Sequence, residues 1–392
     1  MTIRNLSPES EVLLRNTEVF ASGHWLIINA ADDVLYEHVG ETRTVVHQYY
    51  DRYLDSQSQH DEKLAIHYCA FLEERNDTFD GAIIFWPKAK QHGVMLCQHV
   101  AALLKQSGTL LLVGDNKGGI KSAAKHLKQF NFSFNKLDNA RHCTLLGWRK
   151  ELNWNNDLSG NEHTKCPEPK AMAASSLLAS SWRNSYSLSP SLVTASAETS
   201  NNSSASLPAL RISTLPGTFS ADSLDSGTAL LLQDLPSLLD DLTSKNKVLD
   251  FACGNGVIAS VIASQYPHLK IIGSDINALS LNCAEYDKKV NGEHYQAIAQ
   301  IDYLASHGLS QVNHKFQVII SNPPFHTGTK TDYSITEQFI ADAAEKLTKY
   351  GKLRIVANRF LKYPDILEQY FGNVTVIAQT SKFSVYQCIK TA

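Results

Sequence analysis

The feature that most restricts the fold lies in the second half of the chain, where short apolar runs alternate with helical stretches. Val248–Ala252 is apolar and runs into glycines, and Val257–Gln265 then has helical character. Lys270–Gly273 reads as a second strand and Ala278–Val290 as a second helix. A third strand is expected around Ile298, a fourth over Phe316–Ser321, a helix over Phe339–Leu347 and a fifth strand over Leu353–Ala357. Strands that alternate with helices pair in parallel and are covered on both faces, so they read as unbroken apolar runs. Val374–Ala378 and Phe383–Ile389, joined by a short polar turn, predict a closing antiparallel hairpin. The expected class is α/β, a mostly parallel Rossmann-type sheet with a terminal hairpin.

The first half repeats the rhythm. Asp80-Gly-Ala-Ile-Ile-Phe-Trp-Pro overlays Phe316-Gln-Val-Ile-Ile-Ser-Asn-Pro, and Ser107-Gly-Thr-Leu-Leu-Leu-Val-Gly-Asp-Asn overlays Tyr350-Gly-Lys-Leu-Arg-Ile-Val-Ala-Asn-Arg without a gap. Two copies of one α/β unit are expected, although any two α/β domains share this pattern. Between them the composition shifts. Ser175–Ser206 holds 13 serines with few charges and no apolar period, too little to offset the entropy of ordering. The expected division is a first domain over 1–152, a flexible linker over 153–207 with a transient helix around Ala171–Leu178, and a second domain over 208–392. Seven scattered cysteines without a CxxC pair argue against a disulfide framework or a zinc site and for a reducing compartment. The N-terminus lacks a signal-peptide core, and no run of eighteen apolar residues occurs. A soluble, cytoplasmic monomer without metal or membrane is expected. A net charge of −3 gives no global nucleic-acid signature, so any such surface is local.

The segment Val248-Leu-Asp-Phe-Ala-Cys-Gly-Asn-Gly-Val is strand, glycine loop and helix. Glycines let a backbone turn tightly and approach a ligand. Asp275, about 20 residues on at the end of the next strand, is placed to accept both hydroxyls of a ribose. A dinucleotide loop wants GxGxxG; here Asp250 precedes the glycines and no third glycine is in register. That favours S-adenosylmethionine over NAD. The cofactor set is Asp250, Ala252, Gly254, Gly256 and Asp275, and a tight turn without ligand is the plain alternative. Asp302, expected just after the third strand, is placed for the adenine amino group or is an exposed capping aspartate. Asp225 and Gly227 line the methionine end of the cofactor or form an ordinary helix N-terminus.

Ile319-Ile-Ser-Asn-Pro-Pro-Phe-His closes the fourth strand. The Asn322 side chain and the Pro323 carbonyl offer two acceptors on a rigid loop, matching the two hydrogens of an exocyclic amine, and Phe325 offers a flat face for stacking. A conjugated amine is a poor nucleophile; two fixed acceptors favour its pyramidal geometry, and positioning supplies most of the catalysis. Alone, Asn-Pro-Pro is also a rigid turn. After a fourth strand, with the glycine loop on the first and the acid on the second, it points to methylation of an amino group.

These residues resemble class I methyltransferases with an NPPF-type motif and, more closely, the ribosomal RNA small-subunit methyltransferase C family. The resemblance covers both domains but not the linker. It rests on Leu215-Pro-Gly-Thr-Phe-Ser, Leu224-Asp-Ser-Gly, the glycine loop, the Asn-Pro-Pro-Phe loop and Leu353-Arg-Ile-Val-Ala-Asn-Arg-Phe-Leu-Lys-Tyr-Pro, and in the first half on Ser10-Glu-Val-Leu-Leu-Arg and Phe85-Trp-Pro-Lys. It implies two tandem class I methyltransferase-like domains, S-adenosylmethionine as cofactor, and N2-methylation of guanine 1207 of 16S rRNA in the small ribosomal subunit. It also implies a degenerate first copy with a structural or RNA-binding role. Trp25-Leu-Ile-Ile-Asn-Ala-Ala-Asp has no glycine loop, and Phe85-Trp-Pro-Lys lacks the asparagine and second proline. Two departures stand out: Ala252 occupies the place of the family's first loop glycine, where its methyl is expected to crowd the cofactor, and the linker is long.

RNA contacts are expected at Lys117, Lys121, Lys125 and Lys128, the last three on one helical face, with Arg359 joining them. A solvated helix face is the plain alternative. Arg354, Arg359 and Lys362 are the other place to seek substrate capture. The Asn-Pro-Pro loop does not separate guanine from adenine or a glutamine side chain, and an RNA-binding or assembly protein with a vestigial fold is the non-enzymatic alternative.

Overall fold

A computed structural model describes residues 6–57, 61–74, 76–152, 179–189, 208–323 and 333–391. They fall into two compact units: the described residues of Met1–Arg183 with Leu215–Gly217, and those of Asn184–Thr214 with Thr218–Ala392. The first unit carries β1 (His24–Ile28), β2 (Thr42–His47), β3 (Leu64–Tyr68), β4 (Phe79–Phe85), β5 (Leu104–Asp115), β6 (Asn135–Ala140) and β7 (Cys143–Arg149). The second carries β8 (Asn184–Leu188), β9 (Leu210–Thr214), β10 (Lys247–Phe251), β11 (Lys270–Asp275), β12 (Asp302–Ala305), β13 (Phe316–Ser321), β14 (Leu347–Asn358), β15 (Thr375–Gln379) and β16 (Phe383–Ile389). The two seven-stranded sheets have the same order, β3-β2-β1-β4-β5-β7-β6 and β12-β11-β10-β13-β14-β16-β15. In each, the last strand inserts antiparallel beside the fifth. The fold is one α/β topology built twice in tandem, a mostly parallel sheet closed by an antiparallel hairpin, as expected.

The duplication reaches individual bonds. Ser107 and Tyr350 both take left-handed backbone, φ 62° and 64°. Each donates its N–H to a lysine carbonyl, Lys150 at 3.1 Å and Lys390 at 2.7 Å. Each lysine ammonium then donates to the carbonyl that opens the fifth strand, Leu104 at 2.6 Å and Leu347 at 3.2 Å. Register also corrects the sequence overlay by one residue. Gly81 faces Thr109 as Val318 faces Lys352, and Ile84 faces Leu112 as Ser321 faces Ile355. Phe85 therefore stands at the position of Asn322, and Trp86 at that of Pro323. By the same reading His47 stands at the position of Asp275 and Asn29 at that of Ala252.

In the second unit Val248, Val318 and Ile320 pack into one apolar cluster and Leu249, Phe316 and Ile319 into another, so alternate residues of the central strands serve two covering layers. Helix Val257–Gln265, buried along Val257–Ala263, belongs to the first of these. The third strand is β12, not a strand around Ile298: Ile298–Gln300 is a 3₁₀ turn that buries Ile298. Part of the serine-rich stretch is a strand, because β8 pairs antiparallel with β9 and buries Leu188 in the core. The helix expected at Ala171–Leu178 lies outside the described residues. Among those residues no helix is long and apolar enough to cross a membrane.

Candidate active site

The loop after β10 is built around two left-handed glycines. Gly254 has φ 55° and Gly256 φ 77°. A side chain on Gly256 would collide with the Tyr303 hydroxyl, whereas one on Gly254 would meet nothing within 4 Å. Gly254 thus presents bare backbone to open space at the carboxyl end of the sheet, where open α/β sheets bind ligands. Its N–H donates to Asp275 Oδ2 at 2.8 Å, and Asn277 N–H donates to Asp275 Oδ1 at 2.8 Å. Each carboxylate oxygen keeps a lone pair for another donor. Half-burial still raises the Asp275 pKa, since desolvation outweighs these backbone donors.

Asp250 and Ala252 serve the loop differently from the sequence expectation. Asp250 is fully buried, which withdraws its carboxylate from the surface that a ligand at Gly254 would touch. Oδ2 accepts the Ala259 N–H at 2.9 Å, tying the strand to the first turn of the helix. Oδ1 has no hydrogen-bond partner among the described residues. Burial drives the Asp250 pKa well above the ordinary carboxylate range, against the Ala259 bond that lowers it. Ala252 adopts φ 54°. Its burden is a side chain in left-handed backbone, which costs about 1 kcal/mol relative to glycine.

Asp302 is not at the rim. It opens β12, exposed and paired with Ile272, while Asp275 pairs with Ala305 three residues further along. At about 3.3 Å per residue this leaves it roughly 10 Å short of the ribose acid along the strand. The rim residue there is Ser306, buried, whose N–H donates to the Asp275 carbonyl at 3.0 Å.

At the end of β13 stand half-buried Asn322 and buried Pro323; Phe325 lies outside the described residues. Asn322 Nδ2 donates to Asp225 Oδ2 at 3.0 Å and to Thr228 Oγ1 at 2.8 Å. Asp225 is the N-cap of helix Ser226–Leu232, and the same Oδ2 accepts the N–H groups of Gly227 at 2.8 Å and Thr228 at 3.0 Å. Gly227 packs too closely to Asp225 Oδ2 and the Phe383 ring for a side chain to fit without movement. Asp225 and Gly227 thus reach Asn322 through the helix cap. Thr228 is a contact that sequence reading passed over. Its signal was the Asp-x-x-Thr spacing of an N-cap and its third helical residue.

Of the basic residues, Lys117, Lys121, Lys125 and Lys128 are all exposed in and beside helix Ile120–Leu127. Lys150 is buried against the Leu104 carbonyl and Asp77. In the second unit Arg359 is exposed beyond the end of β14 and donates to the Thr380 carbonyl at 3.2 Å. Phe360 beside it is 77% exposed, an apolar ring flanked by Arg359 and Lys362 that sequence reading left aside. Arg354 is fully buried, donating to Gln387 at 3.0 Å and Ser237 at 2.8 Å, and is removed from any list of RNA contacts. Among the described residues no group of three or more His, Cys, Asp or Glu is arranged to hold a metal ion.

Comparison with known proteins agrees with this geometry. Residues 10–159 match the family described as Methyltransferase small domain N-terminal, and residues 209–387 match Methyltransferase small domain. The chain is 35% identical to ribosomal RNA small subunit methyltransferase C of Pseudoalteromonas atlantica, over 98% of its own length and 99% of that protein's. It is 36% identical to the protein of that name from Alteromonas mediterranea, over 97% and 99%. A solved structure, the T. thermophilus 16S rRNA N2 G1207 methyltransferase in complex with AdoMet and guanosine, shares the fold with a TM-score of 0.73 at 18% identity, covering 98% of this chain and 92% of that one. The chain belongs to the ribosomal RNA small subunit methyltransferase C family.

Proposed function

We propose that the protein transfers a methyl group from S-adenosylmethionine to the exocyclic N2 of a guanine in 16S rRNA of the small ribosomal subunit, at the position named G1207 for the T. thermophilus relative. The observation that carries this reading is the orientation of Asn322. A carboxylate only accepts hydrogen bonds, so the group facing Asp225 Oδ2 is the Asn322 NH₂. Its Oδ1 is thereby left as an acceptor. With the Pro323 carbonyl it forms the pair that the two hydrogens of an aryl amine require.

The residues at the ends of β10 and β11 fit S-adenosylmethionine. The bare backbone at Gly254 admits a ligand chain, and the two oxygens of Asp275 retain capacity for vicinal ribose hydroxyls. Bound there, the cofactor supplies an electrophilic methyl group on sulfur. Asn322 and Pro323 would hold the amine so that its lone pair is directed outward, toward the methyl group that the cofactor would supply. A neutral amide is no base, so the displaced proton leaves to solvent. Positioning of this kind carries most of the rate.

The first unit, with Phe85 in place of Asn322, lacks the side-chain acceptor and serves RNA capture through Lys117, Lys121, Lys125 and Lys128. The protein works in the cytoplasm, as a monomer. The test is incubation with labelled S-adenosylmethionine and, separately, small subunits, free 16S rRNA, DNA or a glutamine-bearing protein, followed by nucleoside or peptide mapping. Label in N2-methylguanosine of 16S rRNA is expected. Label in N6-methyladenosine or glutamine, or none, overturns the proposal.

A further inference from the structure

We infer that Asp225 and Thr228 are positioning residues that fix the Asn322 amide with its carbonyl toward the target amine, and that they are not cofactor ligands. The inference rests on the methylation reading above. An asparagine side chain has two nearly isosteric orientations about its last bond, and only one presents oxygen to an amine; the other presents NH₂ and repels it. The Asp225 carboxylate, which only accepts, removes the wrong orientation, and the Thr228 hydroxyl beside it takes the second hydrogen. Asp225 Oδ2 accepts at 3.0 Å and Thr228 Oγ1 at 2.8 Å, so both Nδ2 hydrogens are consumed. Asp225 is itself immobilised, because the same oxygen accepts two backbone N–H groups of its helix.

The first unit supplies an internal control. Helix Pro8–Leu14 packs on β5 and β7 as helix Ser226–Leu232 packs on β14 and β16. Its N-cap is Ser7, and the residue three further on is Ser10. There, where the register position of Asn322 holds Phe85, the two hydroxyls turn to each other at 3.1 Å, and Ser7 donates to Asp32. A serine suffices to cap a helix. The longer acidic cap and the threonine hydroxyl occur in the copy that has an amide to hold.

The test is a pair of substitution series in the full chain. Thr228→Val removes the acceptor without changing shape; Thr228→Ser keeps it. Asp225→Ser imports the cap of the first unit, preserving the helix but falling short of Asn322, while Asp225→Asn keeps an acceptor oxygen. Methyl transfer to 16S rRNA is expected to lose roughly tenfold in kcat with Thr228→Val and more with Asp225→Ser, at unchanged KM, from the loss of one neutral, half-buried hydrogen bond and one charge-assisted hydrogen bond. The two conservative variants recover most of it. Calorimetric affinity for S-adenosylmethionine stays at the wild-type value in all four. Combining Thr228→Val with Asn322→Ala adds no further loss, because the threonine acts only through the amide. A substrate-free readout is the side-chain NH₂ resonance pair of Asn322, which is expected to exchange faster with water in the two disruptive variants. If those variants turn over like wild type, or if cofactor affinity falls in step with kcat, the inference fails. An inactive wild type with a slowly exchanging Asn322 amide that the two variants release would instead keep the lock and overturn the methylation reading.

Discussion

The two units are one fold twice, with the same strand order and the same lysine-to-carbonyl tie at the fifth strand, yet they differ at the rim where chemistry is done. At the register position where β13 ends in Asn322, β4 ends in buried Phe85. Where β11 ends in Asp275, β2 ends in His47, buried against Tyr36 at 3.1 Å and Ser56 at 3.0 Å. The glycine loop becomes Asn29-Ala-Ala-Asp-Asp, which keeps only the left-handed first residue, φ 57°. An inherited scaffold thus tolerates replacement of every group that would touch ligand, provided the replacements fill space and satisfy their own polar atoms. A fold alone therefore does not carry the function.

The sharpest way to break this comparison is to truncate the same position in both copies. Asn322→Ala is expected to lower kcat by about 100-fold or more while leaving S-adenosylmethionine affinity and the melting temperature near wild type, since it removes an oriented acceptor from a dry site. Phe85→Ala is expected to do the reverse, costing about 3 kcal/mol of stability through the cavity left behind, with turnover per folded molecule unchanged. Denaturant unfolding and single-turnover kinetics on both variants decide. Full turnover in Asn322→Ala would remove the second unit's claim to the chemistry.

Asp275→Ala comes next. Loss of the ribose hydrogen bonds is expected to weaken S-adenosylmethionine by roughly tenfold to 100-fold by calorimetry, since bonds to a charged group contribute about 1.5–3 kcal/mol. The counterpart His47→Ala leaves cofactor affinity untouched.

The copies also diverge in pH response. Burial holds His47, His92 and His99 of the first unit at about 4. His99 Nε2 accepts the Leu72 N–H at 3.2 Å, which protonation abolishes. A histidine whose folded pKa is lowered contributes full stability above its unfolded value near 6.5 and loses it as pH falls toward 4. Each such group is worth roughly 3 kcal/mol over that window. The second unit holds the opposite case: Asp250 and Asp275 have raised pKa values, so the folded state there binds protons more readily and loses stability as pH rises above the ordinary carboxylate range. Hydrogen exchange between pH 4.5 and 8 is expected to loosen the first unit on acidification, and Asp250→Asn to flatten the alkaline slope of the second. Parallel pH profiles in the two units would contradict this assignment.

How much of this was legible in the sequence depends on distance along the chain. Helix Val257–Gln265 and the closing hairpin follow from local pattern, and the glycines, Asp275 and Asn322 stand at strand ends that the pattern itself marks. The third strand was misplaced because β12 is a four-residue strand at the sheet edge, exposed or half-buried along its length, so it lacks an apolar signature; Asp302 was misassigned with it. The overlay slipped by one residue because β4 and β13 both bulge against the next strand, between Phe79 and Gly81 and between Phe316 and Val318, and a bulge leaves no mark in the residue pattern. The part played by Asp225 was illegible because its partner Asn322 is 97 residues away. Arg354 looked like surface charge because the Gln387 amide and Ser237 hydroxyl that bury it come from another strand and another helix.

The lysines of the first unit give a smaller effect, a graded one. Reversing Lys121, Lys125 and Lys128 to glutamate is expected to weaken 16S rRNA binding and to flatten its dependence on log salt by about 2, since each lost phosphate contact removes roughly 0.7–0.9 from the slope. Cofactor affinity is unchanged. Should binding and slope match wild type, the exposed Arg359, Phe360 and Lys362 of the second unit become the place of capture, tested by Phe360→Ala.

The smallest effect sharpens the comparison at a backbone feature that the two copies share. The first loop residue is left-handed in both copies, Asn29 at φ 57° and Ala252 at φ 54°. Asparagine tolerates that region because its short polar side chain bonds locally, and here Asn29 Oδ1 accepts the Gln48 N–H at 2.8 Å. Alanine has no such compensation. Ala252→Gly relieves about 1–2 kcal/mol of local strain but frees the unfolded chain by about 0.4–1 kcal/mol, so a net gain of roughly 0.5–1 kcal/mol is expected. Asn29→Gly is expected to gain nothing and to lose the Gln48 bond. Chemical denaturation of the two variants measures both. The same Ala252→Gly protein separates strain from crowding: relieved strain raises stability and leaves S-adenosylmethionine affinity where it was, whereas a methyl that pressed on the cofactor would tighten binding on removal and leave the unfolding curve in place.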